Sequence, residues 1–373
     1  MGRNHWDSGV ILPSRAPTAQ SPSHHLGQRW SPDHLRLHRH LLHHPGLLPQ
    51  GATLLLAVSG GQDSMAMLAL LLDLQRLHHW SLQLWHGDHR WRPDSTSQAA
   101  ELERWITALG LTLHIDTWQP PARLQSEVAA RQWRYGQLEA RARSLGSSHV
   151  VTAHTASDRA ETLLLHLARG SHRRGLASLR SQRPLACADD ANTSPLVLAR
   201  PLLPFSRADT GRLCAQLELP VWQDASNFDL RYSRNRIRAE VVPVLEELHP
   251  GAAQRISSQA ERLADEVECR DELVDLTLQA LASSGSSCEA GQIAPVLRRR
   301  ELVFLASANQ RQLLHRWLER LTGQALPARQ LEELLLRLQI GRAPGKAALR
   351  AGWQLQWDRC TLWLNHSPAP PPQ

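Results

Sequence analysis

The six residues SGGQDS at positions 59–64 combine groups that can hold a phosphate chain. Glycines allow the backbone to approach a phosphate closely, and the hydroxyls of Ser59 and Ser64 are hydrogen-bond donors. A helix that begins at the loop would also direct free N–H groups at an anion. The carboxylate of Asp63 would repel a bare phosphate, but it suits a divalent cation lying between the acid and the phosphate. The predicted nucleotide-binding residues of the loop are Ser59, Gly60, Gly61, Gln62, Asp63 and Ser64.

The spacing of the loop disfavours two common nucleotide sites. It lacks the lysine that follows the second glycine of G-x-x-x-x-G-K-S/T and holds the β- and γ-phosphates during γ-phosphoryl transfer. It is also not G-x-G-x-x-G. A dinucleotide site requires an acid ~20 residues beyond the glycines, whereas Asp63 lies inside the loop. An ordinary tight turn between a strand and a helix is the structural alternative, because Gly and Ser are common turn residues.

Histidines and carboxylates recur after two later apolar runs. HGDHRWRPDS (86–95) carries His86, Asp88 and His89, and TAHTASDRAET (152–162) carries His154, Asp158 and Glu161. Residues that follow strands of a parallel sheet face its ligand-binding edge. The alternatives are a structural polar cluster for His89 and, for Asp158, an acid that stabilises the first turn of its helix.

Arginines supply the cationic part of the predicted chemistry. Arg131 and Arg134 are three residues apart in AARQWRY (129–135), so both can lie on one helix face. Arginine can neutralise the charge of a transferring adenylate, whereas surface salt bridges to Glu127 or Glu139 are the alternative. RYSRNRIR (231–238) interleaves basic and aromatic groups as RNA-binding segments do, although a solvated helix start would look similar.

The charge distribution favours an anionic polymer as partner. The 373 residues have a formal net charge of +7, and Lys346 is the single lysine among 42 basic residues. Residues 123–238 hold 18 arginines and 10 acidic residues, so the positive charge of this segment exceeds the net charge of the whole chain. Such a stripe is expected at a nucleic-acid site, although a GC-rich coding bias also favours arginine over lysine.

The cysteines and the apolar runs indicate a cytoplasmic protein. Five scattered cysteines include no C-x-x-C pair, so they indicate neither a zinc site nor a disulfide framework. No apolar run reaches the ~18 residues that a membrane span needs, so no membrane partner is expected. The sequence leaves the oligomeric state open and is compatible with a homodimer.

The elements that must position these residues alternate between strands and helices. The predicted strands are 53–58, 82–86, 111–116, 148–153 and 197–203, and the predicted helices are 65–77, 95–109, 124–145, 158–168 (with Ser157 as N-cap) and 206–219; residues 170–200 otherwise look irregular. This alternation predicts an α/β fold, a Rossmann-like parallel sheet with helices on both faces.

A smaller, mainly helical domain is predicted to follow. HPG (249–251) breaks the chain, and helices are expected at 252–282, 300–321 and 328–339, before a terminal β-hairpin at 349–365. The predicted organisation is a disordered arm (1–30), a nucleotide-binding catalytic domain (31–248), a helical accessory domain (249–366) and a disordered tail (367–373).

Five blocks give the chain a more specific resemblance, from about residue 52 to 250. They are SGGQDS (59–64), HGDHRWRPDS (86–95), AARQWRY (129–135), TAHTASDRAETLLLHLARGS (152–171) and RPLLPFSR…WQDASNFDLRYSRNRIR (200–238). In this order they resemble the tRNA(Ile)-lysidine synthases, which belong to the PP-loop, or N-type ATP pyrophosphatase, family. The resemblance implies ATP and Mg²⁺ as cofactors, with free L-lysine and the isoleucine tRNA with a CAU anticodon as substrates. In that reaction AMP is first attached at C2 of the wobble cytosine, and the lysine amine then displaces it.

The resemblance also implies that the accessory domain (249–366) binds tRNA, and it implies roles for individual residues. It makes Asp63, Arg131 and Asp158 catalytic, Asp63 and Asp158 metal ligands, and His86 and His154 ATP-binding residues. The implied substrate- and tRNA-binding residues are Asp88, His89, Arg134, Glu161, Arg169, Arg173, Arg174, Arg231, Arg234, Asn235, Arg236 and Arg238.

Three positions depart from the family pattern. Thr155 stands where a second histidine is common, Ser157 where the first acid of an Asp–Asp pair is common, and His172 where a glycine is usual. Another PP-loop enzyme, a tRNA thiolase, is the closest alternative, but such enzymes usually need paired cysteines or an iron–sulfur cluster. A non-catalytic nucleotide- or RNA-binding module is a third interpretation.

Overall fold

The computed structural model describes residues 30–90, 94–119, 126–186, 195–222, 229–282, 293–339 and 341–366. The predicted arm (1–30, except Trp30) and the predicted tail (367–373) lie outside these ranges. The chain divides into two compact units, Met1–Ala264 and Asp265–Gln373. Among the described residues, no helix is long and apolar enough to cross a membrane. The predicted domain boundaries stay predictions.

A six-stranded sheet forms the centre of the first unit. Its strands follow the order β3-β2-β1-β4-β6-β5; all neighbours pair in parallel except β5, which is antiparallel to β6 at one edge. The strands are β1 (Thr53–Ala57), β2 (Ser81–Asp88), β3 (Leu113–Thr117), β4 (His149–Val151), β5 (Gln182–Ala186) and β6 (Leu196–Ala199). The predicted Rossmann-like α/β sheet is confirmed.

Helices cover both faces of this sheet, which explains why its central strands are apolar without interruption. Successive side chains of β1 alternate between the faces: Leu54 and Leu56 lie in one core cluster, and Leu55 lies in the other. The helices of the first unit are α1 (Pro32–His43), α2 (Gln62–His78), α3 (Ser95–Ala108), α4 (Glu127–Ser144), α5 (Ala156–Ala168), α6 (Arg173–Leu176), α7 (Arg207–Gln216), α8 (Ser233–Arg236) and α9 (Val242–Leu248), with a π-helical turn at Ile237–Val241.

Several elements differ from the sequence-based expectations. The antiparallel strand β5 and helix α6 occupy a segment that was expected to be irregular. Helix α5 begins two residues earlier than predicted, because Thr155 and not Ser157 is its N-cap. The strand predicted at 197–203 ends at Ala199, before Pro201, whose missing N–H cannot extend a sheet ladder. Helix α1, which begins after the N-cap Ser31, was not predicted.

The strand order creates a binding crevice beside β1. The chain goes from β1 to β2 and β3 on one side, then crosses to β4 and β6 on the other. Ligands of such sheets bind outside the carboxyl ends of the strands, at the point where the order reverses. The loops after β1, β2 and β4, which carry the three predicted groups of chemical residues, all open at this edge.

The second unit packs helices against a four-stranded antiparallel sheet of order β7-β10-β9-β8. Its core includes Leu297, Leu314 and Trp317. Its elements are β7 (Ile293–Arg298), α11 (Arg299–Phe304), α12 (Ser307–Thr322), α13 (Ala328–Leu338), β8 (Gly345–Ala348), β9 (Trp353–Trp357) and β10 (Thr361–His366). The long helix α10 (Ala252–Leu281) begins in the first unit and ends in the second.

The predicted terminal hairpin corresponds to β9 and β10, but β7 and β8 were not predicted. The helix expected at 300–321 is divided into α11 and α12 by an extended residue, Leu305. The side-chain amide of the buried Gln310 donates to the carbonyl oxygens of Val303 (2.8 Å) and Leu305 (2.7 Å). It thereby satisfies acceptors left open where α11 ends.

Candidate active site

The loop after β1 is an open backbone cradle at the crevice. Gly60 has φ +80°, and a Cβ atom there would lie 3.2 Å from the Trp222 ring, so the position requires glycine. The backbone N–H of Trp222 donates to the Gly60 carbonyl at 3.0 Å and so fixes the loop to the segment after α7. Inside the loop, the Ser64 hydroxyl donates to Gly61 O at 2.8 Å and accepts from the Ser59 N–H at 3.2 Å. Residues 62–64 form the first turn of α2 and direct its N-terminus at the cradle.

Asp63 is a largely buried carboxylate in this first turn. Its side chain is 14% exposed, accepts a hydrogen bond from the Thr210 hydroxyl and lies 3.9 Å from the Arg207 guanidinium. Burial raises the pKa of Asp63, although Arg207 and Thr210 oppose this shift. The ionised carboxylate is therefore only partly compensated, and a further cation beside it would stabilise the charged form.

Helix α7 provides the wall opposite the loop. The Gln62 amide donates to Arg207 O at 2.7 Å and to the Thr210 hydroxyl at 2.9 Å. A Cβ atom at Gly211 would lie 3.1 Å from the Gln62 side chain, which shows how closely the two helices approach. Arg207 and Thr210 were not predicted as site residues, because 147 positions separate Thr210 from Asp63 and no local pattern reports this proximity.

The residues at the cradle fit a magnesium ion that arrives with its nucleotide. Among the described residues, no group of three or more His, Cys, Asp or Glu side chains could form an all-protein metal cage. Magnesium commonly takes only one or two carboxylates and completes its coordination with substrate phosphates and water. Asp63, beside backbone N–H groups that suit those phosphates, matches this donor set.

Four charged residues form what we call the acid–arginine network: Asp158, Glu161, Arg234 and Arg238. Glu161 is 2% exposed and accepts from Arg234 Nε at 2.9 Å and from Arg238 Nε at 2.7 Å. Asp158 Oδ1 accepts from Arg234 Nη2 at 2.9 Å. The structure therefore joins two residues of α5 to the arginines of RYSRNRIR, as two balanced charge pairs.

Two departures from the family pattern acquire a structural explanation here. The N–H and hydroxyl of Thr155 both donate to Asp158 Oδ2, at 2.8 and 3.0 Å. The Ser157 hydroxyl accepts from the Arg207 N–H at 3.1 Å and so joins α5 to α7. Both oxygens of Asp158 are thus engaged, and its predicted role as a metal ligand stays a prediction.

The third departure, His172, needs no special backbone. It precedes α6 with φ −73°, a conformation open to any residue. A glycine is therefore not required at this position.

Two histidines lie at the carboxyl ends of β2 and β4. His86 Nδ1 donates to Val58 O at 2.8 Å, which leaves Nε2 as the acceptor, and burial lowers its pKa. Burial lowers the pKa of His154 to about 3, although Asp158 opposes the shift. Thr152 and His154 Nδ1 share a hydrogen bond of 3.0 Å. Both imidazoles are neutral at neutral pH and can accept or donate hydrogen bonds without adding charge.

Asp88 and His89 are bound into the structure that follows β2. Asp88 is 3% exposed and accepts from the Arg90 N–H at 3.0 Å and the Thr96 hydroxyl at 3.1 Å. His89 packs edge-on against Trp133, with ring centroids 5.1 Å apart, and against Trp118 at 6.0 Å. These contacts supply structural roles, and the predicted contact of both residues with substrate stays a prediction.

Arg131 and Arg134 belong to a second cationic group, which we call the tyrosine–arginine cluster: Tyr135, Arg131, Arg134, Arg183 and Arg200. The guanidinium carbons of Arg131, Arg134 and Arg183 lie 5.2, 5.9 and 5.3 Å from the centroid of the Tyr135 ring. Arg200 lies beside the same phenol and is 2% exposed. Sequence analysis missed Tyr135, Arg183 and Arg200, which come from separate elements.

The remaining predicted tRNA-binding residues lie on exposed surface or in local pairs. Arg231 pairs with Asp229 at 2.7 Å and Arg236 with Glu240 at 2.9 Å, while the Asn235 amide donates to Asp229 O at 3.0 Å. Arg169 ends α5, and Arg173 and Arg174 begin α6; all three are exposed. Their roles in binding tRNA stay predictions.

Cys214 is the described cysteine nearest to the cradle. It is 5% exposed, its thiol donates to Gln62 O at 3.3 Å, and burial beside Asp63 raises its pKa to about 12. A nucleophilic cysteine needs an accessible thiolate, which this environment disfavours. Cys187, the other cysteine of the predicted catalytic domain, lies outside the described residues.

Comparison with known proteins agrees with this geometry. The PP-loop domain family matches residues 35–245. A tRNA(Ile)-lysidine synthase from Parasynechococcus marenigrum is 51% identical over 342 residues, which cover 91% of this chain and 96% of that protein. The chain belongs to the tRNA(Ile)-lysidine synthase family of PP-loop proteins.

Other relatives support the same family. The tRNA(Ile)-lysidine synthase of a Prochlorococcus marinus strain is 39% identical over 90% of this chain and 96% of that protein. Among solved structures, a U34-tRNA thiolase from Methanococcus maripaludis covers 62% of this chain and 78% of its own, with a TM-score of 0.52 and 15% identity. That likeness shows the shared fold alone. The resemblance carried by the five sequence blocks is confirmed, and family membership makes this chain an ATP-using ligase.

Proposed function

We propose that this protein joins lysine to the wobble cytidine of the isoleucine tRNA whose anticodon is CAU, and converts ATP to AMP and pyrophosphate. The proposal rests on one observation: a PP-loop cradle with a partly compensated buried carboxylate, Asp63, in a chain 51% identical to a tRNA(Ile)-lysidine synthase. The product, lysidine, would change decoding from methionine to isoleucine.

In the first step, the C2 oxygen of the cytosine attacks the α-phosphorus of ATP. A new oxygen–phosphorus bond forms as the bond between the α-phosphorus and the oxygen bridging to the β-phosphorus breaks, and pyrophosphate leaves. The N-terminus of α2 is proposed to bind the phosphates during this step, in a loop that Ser59 and Ser64 shape by donating to Ser64 Oγ and to Gly61 O. Arg131 and Arg207 are the cations proposed to offset negative charge on the transferring group.

Magnesium, held by Asp63 and the nucleotide phosphates, would supply charge neutralisation at the pyrophosphate. Two contacts support this role for Asp63: the Thr210 hydroxyl orients one carboxylate oxygen, and the other oxygen lies 3.9 Å from the Arg207 guanidinium.

In the second step, the lysine amine attacks C2 of the adenylated cytosine. A carbon–nitrogen bond forms, AMP leaves with the former C2 oxygen, and the amine loses a proton. Asp158 and Glu161 are proposed to lie on the lysine and tRNA side of the site, where their ion pairs with Arg234 and Arg238 hold both carboxylates in place.

The decisive experiment measures the transfer of radiolabelled lysine with purified protein and magnesium ATP. We expect incorporation into an unmodified isoleucine tRNA with the CAU anticodon, together with stoichiometric AMP and pyrophosphate. The matched methionine tRNA, which shares the anticodon sequence, should accept no lysine. Absence of lysine from the isoleucine tRNA would overturn the proposed function.

A cysteine variant separates this function from tRNA thiolation. Because Cys214 is buried and its thiol is held protonated, Cys214→Ser should retain lysine transfer. The double variant with Cys187→Ser extends the test to both cysteines of the predicted catalytic domain. Sulfur incorporation into tRNA by the wild type, lost in the double variant, would favour a thiolase instead.

A further inference from the structure

The tyrosine–arginine cluster gathers four guanidinium groups around one phenol, and three of them lack an acidic partner among the described residues. Among the described residues, no ion pair joins Arg131, Arg183 or Arg200 to a carboxylate, whereas Arg141, Arg143 and Arg212 on nearby helices all have acidic partners. Although burial opposes it, the four arginines lower the pKa of Tyr135. Like charges held this closely repel one another unless an anion lies among them.

Arg200 distinguishes this cluster from a surface patch, because its side chain is buried. Its side chain is buried at 2% exposure; Nη1 donates to Arg180 O at 2.7 Å, but the buried Nε has no hydrogen-bond partner in the described structure. Burial lowers the pKa of Arg200 to about 10, so the group still carries its charge at neutral pH. A buried, charged donor without an acceptor is costly, and a bound anion would remove that cost.

The cluster lies at the same edge of the sheet as the phosphate cradle. Arg200 directly follows β6, and Arg183 lies opposite Leu198 near the carboxyl end of that strand. Arg131 and Tyr135 occupy the first half of α4, which packs on the face of the sheet that carries Leu55. Arg134 and Arg200 are close enough to His154 to affect its pKa, so the cluster is continuous with the candidate active site.

We propose that the tyrosine–arginine cluster is a binding site for the phosphodiester backbone of the tRNA beside the wobble nucleotide. This inference rests on the proposed function, because it assigns a part of the same substrate. The cradle after β1 and Arg131 are already assigned to ATP, so the more remote Arg183 and Arg200 serve another anion. The exposure of the arginines decreases from Arg131 and Arg134, which are exposed, through the half-buried Arg183 to the buried Arg200. The positive charge therefore begins at the surface, where a phosphodiester backbone can reach it.

Tyr135 acts as a positioning residue in this site. Its ring contacts three guanidinium groups by cation–π interactions, and its hydroxyl end lies beside Arg200. These contacts hold the arginines together before the RNA arrives, and they use the faces of the guanidinium groups and not their N–H groups. The ring is correspondingly unsuited to stack on a base.

Arg183→Ala tests the site, because this residue lies on the edge strand β5 and outside the residues assigned to ATP or lysine. We expect tRNA affinity, measured without ATP or lysine, to fall about 10-fold at low salt, as for one lost charged hydrogen bond. The slope of log K against log salt should shrink by about 0.7 to 0.9, the share of one phosphate contact. Arg143→Ala, on α4 but paired with Glu139, is the matched control and should change neither value.

The outcomes separate this proposal from the proposed function. If the wild type transfers lysine but Arg183→Ala binds tRNA with unchanged affinity and salt slope, the cluster is not a tRNA site, although the proposed function stands. A rise in the KM for lysine or ATP, without a change in tRNA affinity, would assign the cluster to the lysine carboxylate or the nucleotide and overturn the proposal. Failure of the wild type to transfer lysine would instead overturn the proposed function.

Two substitutions test the positioning role of Tyr135. Tyr135→Phe keeps the ring under the guanidinium groups and should retain most of the tRNA affinity. Tyr135→Leu removes the ring and should lose as much affinity as Arg183→Ala, with kcat at saturating tRNA close to that of Tyr135→Phe. Equal tRNA affinity and salt slope in the two variants would contradict a positioning role for the ring.

Discussion

Two groups of arginines at the ligand-binding edge differ in how their charge is balanced. In the acid–arginine network, Arg234 and Arg238 bind the buried Glu161 and the largely buried Asp158. In the tyrosine–arginine cluster, an aromatic ring or backbone carbonyls contact Arg131, Arg183 and Arg200, and these three arginines have no acidic partner among the described residues. The charges of the first group are balanced within the protein, whereas the proposed tRNA phosphates would balance those of the second group.

This contrast separates what arginine does for stability from what it does for binding. A buried ion pair is expensive to break, because the remaining partner keeps an uncompensated charge. A cluster of like charges gives the folded chain little or no stability, and its cost is recovered when a ligand binds. Substitutions in the two groups should therefore move different measured quantities.

The largest effect on stability is expected for Glu161→Ala. It leaves Arg234 and Arg238 without their buried partner, so the free energy of unfolding should fall by about 3–5 kcal/mol. Denaturant unfolding measures the change. Glu240→Ala, which breaks the exposed pair with Arg236, is the control and should leave the unfolding midpoint in place. Similar losses in both variants would remove the distinction between buried and exposed pairs.

Asp63→Asn should affect catalysis and not folding. Loss of the charged metal ligand is expected to lower AMP formation about 10²–10³-fold, a cost typical of removing a group that stabilises the transition state. Burial raises the pKa of Asp63, so its folded form favours the proton, and the ionised group costs stability above its ordinary pKa. The thermal melt of the nucleotide-free variant at pH 7 should consequently be no lower than that of the wild type. A lost cooperative melt would make Asp63 structural.

Thr210→Val should have an intermediate effect. The substitution keeps the shape of a residue that is 1% exposed, but removes the hydroxyl shared by Asp63 and Gln62. We expect a loss of about 1–3 kcal/mol in unfolding free energy, the usual cost of leaving buried polar groups unsatisfied, and slower AMP formation. Thr210→Ser keeps the hydroxyl and should resemble the wild type in both assays; if it behaves like the valine variant, packing explains the effect.

The smallest stability effect is expected for Arg183→Ala, the variant that should weaken tRNA binding. Its guanidinium has no acidic partner among the described residues, and its removal relieves repulsion within the cluster. The free energy of unfolding without tRNA should change by less than about 0.5 kcal/mol. A loss comparable to that of Glu161→Ala would show that the cluster stabilises the fold, and would end the contrast between the two groups.

Local sequence was sufficient where one element carried the information. The run TLLLA and the SGGQDS loop lie next to each other in the chain, so a buried strand, a phosphate cradle and a following helix could be predicted together. The alternation of apolar strands and amphipathic helices likewise predicted the parallel sheet. Strand β5 was missed because it is short, contains Pro184 and lies at an edge, where no strong apolar pattern is needed.

Sequence alone did not show which arginines have acidic partners. RYSRNRIR is conspicuous because four arginines are adjacent, yet Arg231, Arg234, Arg236 and Arg238 all have acidic partners in the folded chain. Arg183 and Arg200 are inconspicuous, because Arg183 lies outside the five blocks and Arg200 is a single arginine at the start of the fifth block. Charge density along the chain does not report charge balance in space.

The amino-acid sequence by itself determined the family, the nucleotide loop and the position of Asp63, because these depend on residues adjacent in the chain or on blocks in a characteristic order. The tertiary structure alone decided that α7 brings Thr210 and Arg207 to Asp63, that Glu161 neutralises Arg234 and Arg238, and that Tyr135 gathers arginines from α4, β5 and the end of β6. The physical reason is that electrostatic compensation depends on distance and burial, and both are set by the packing of elements remote in sequence.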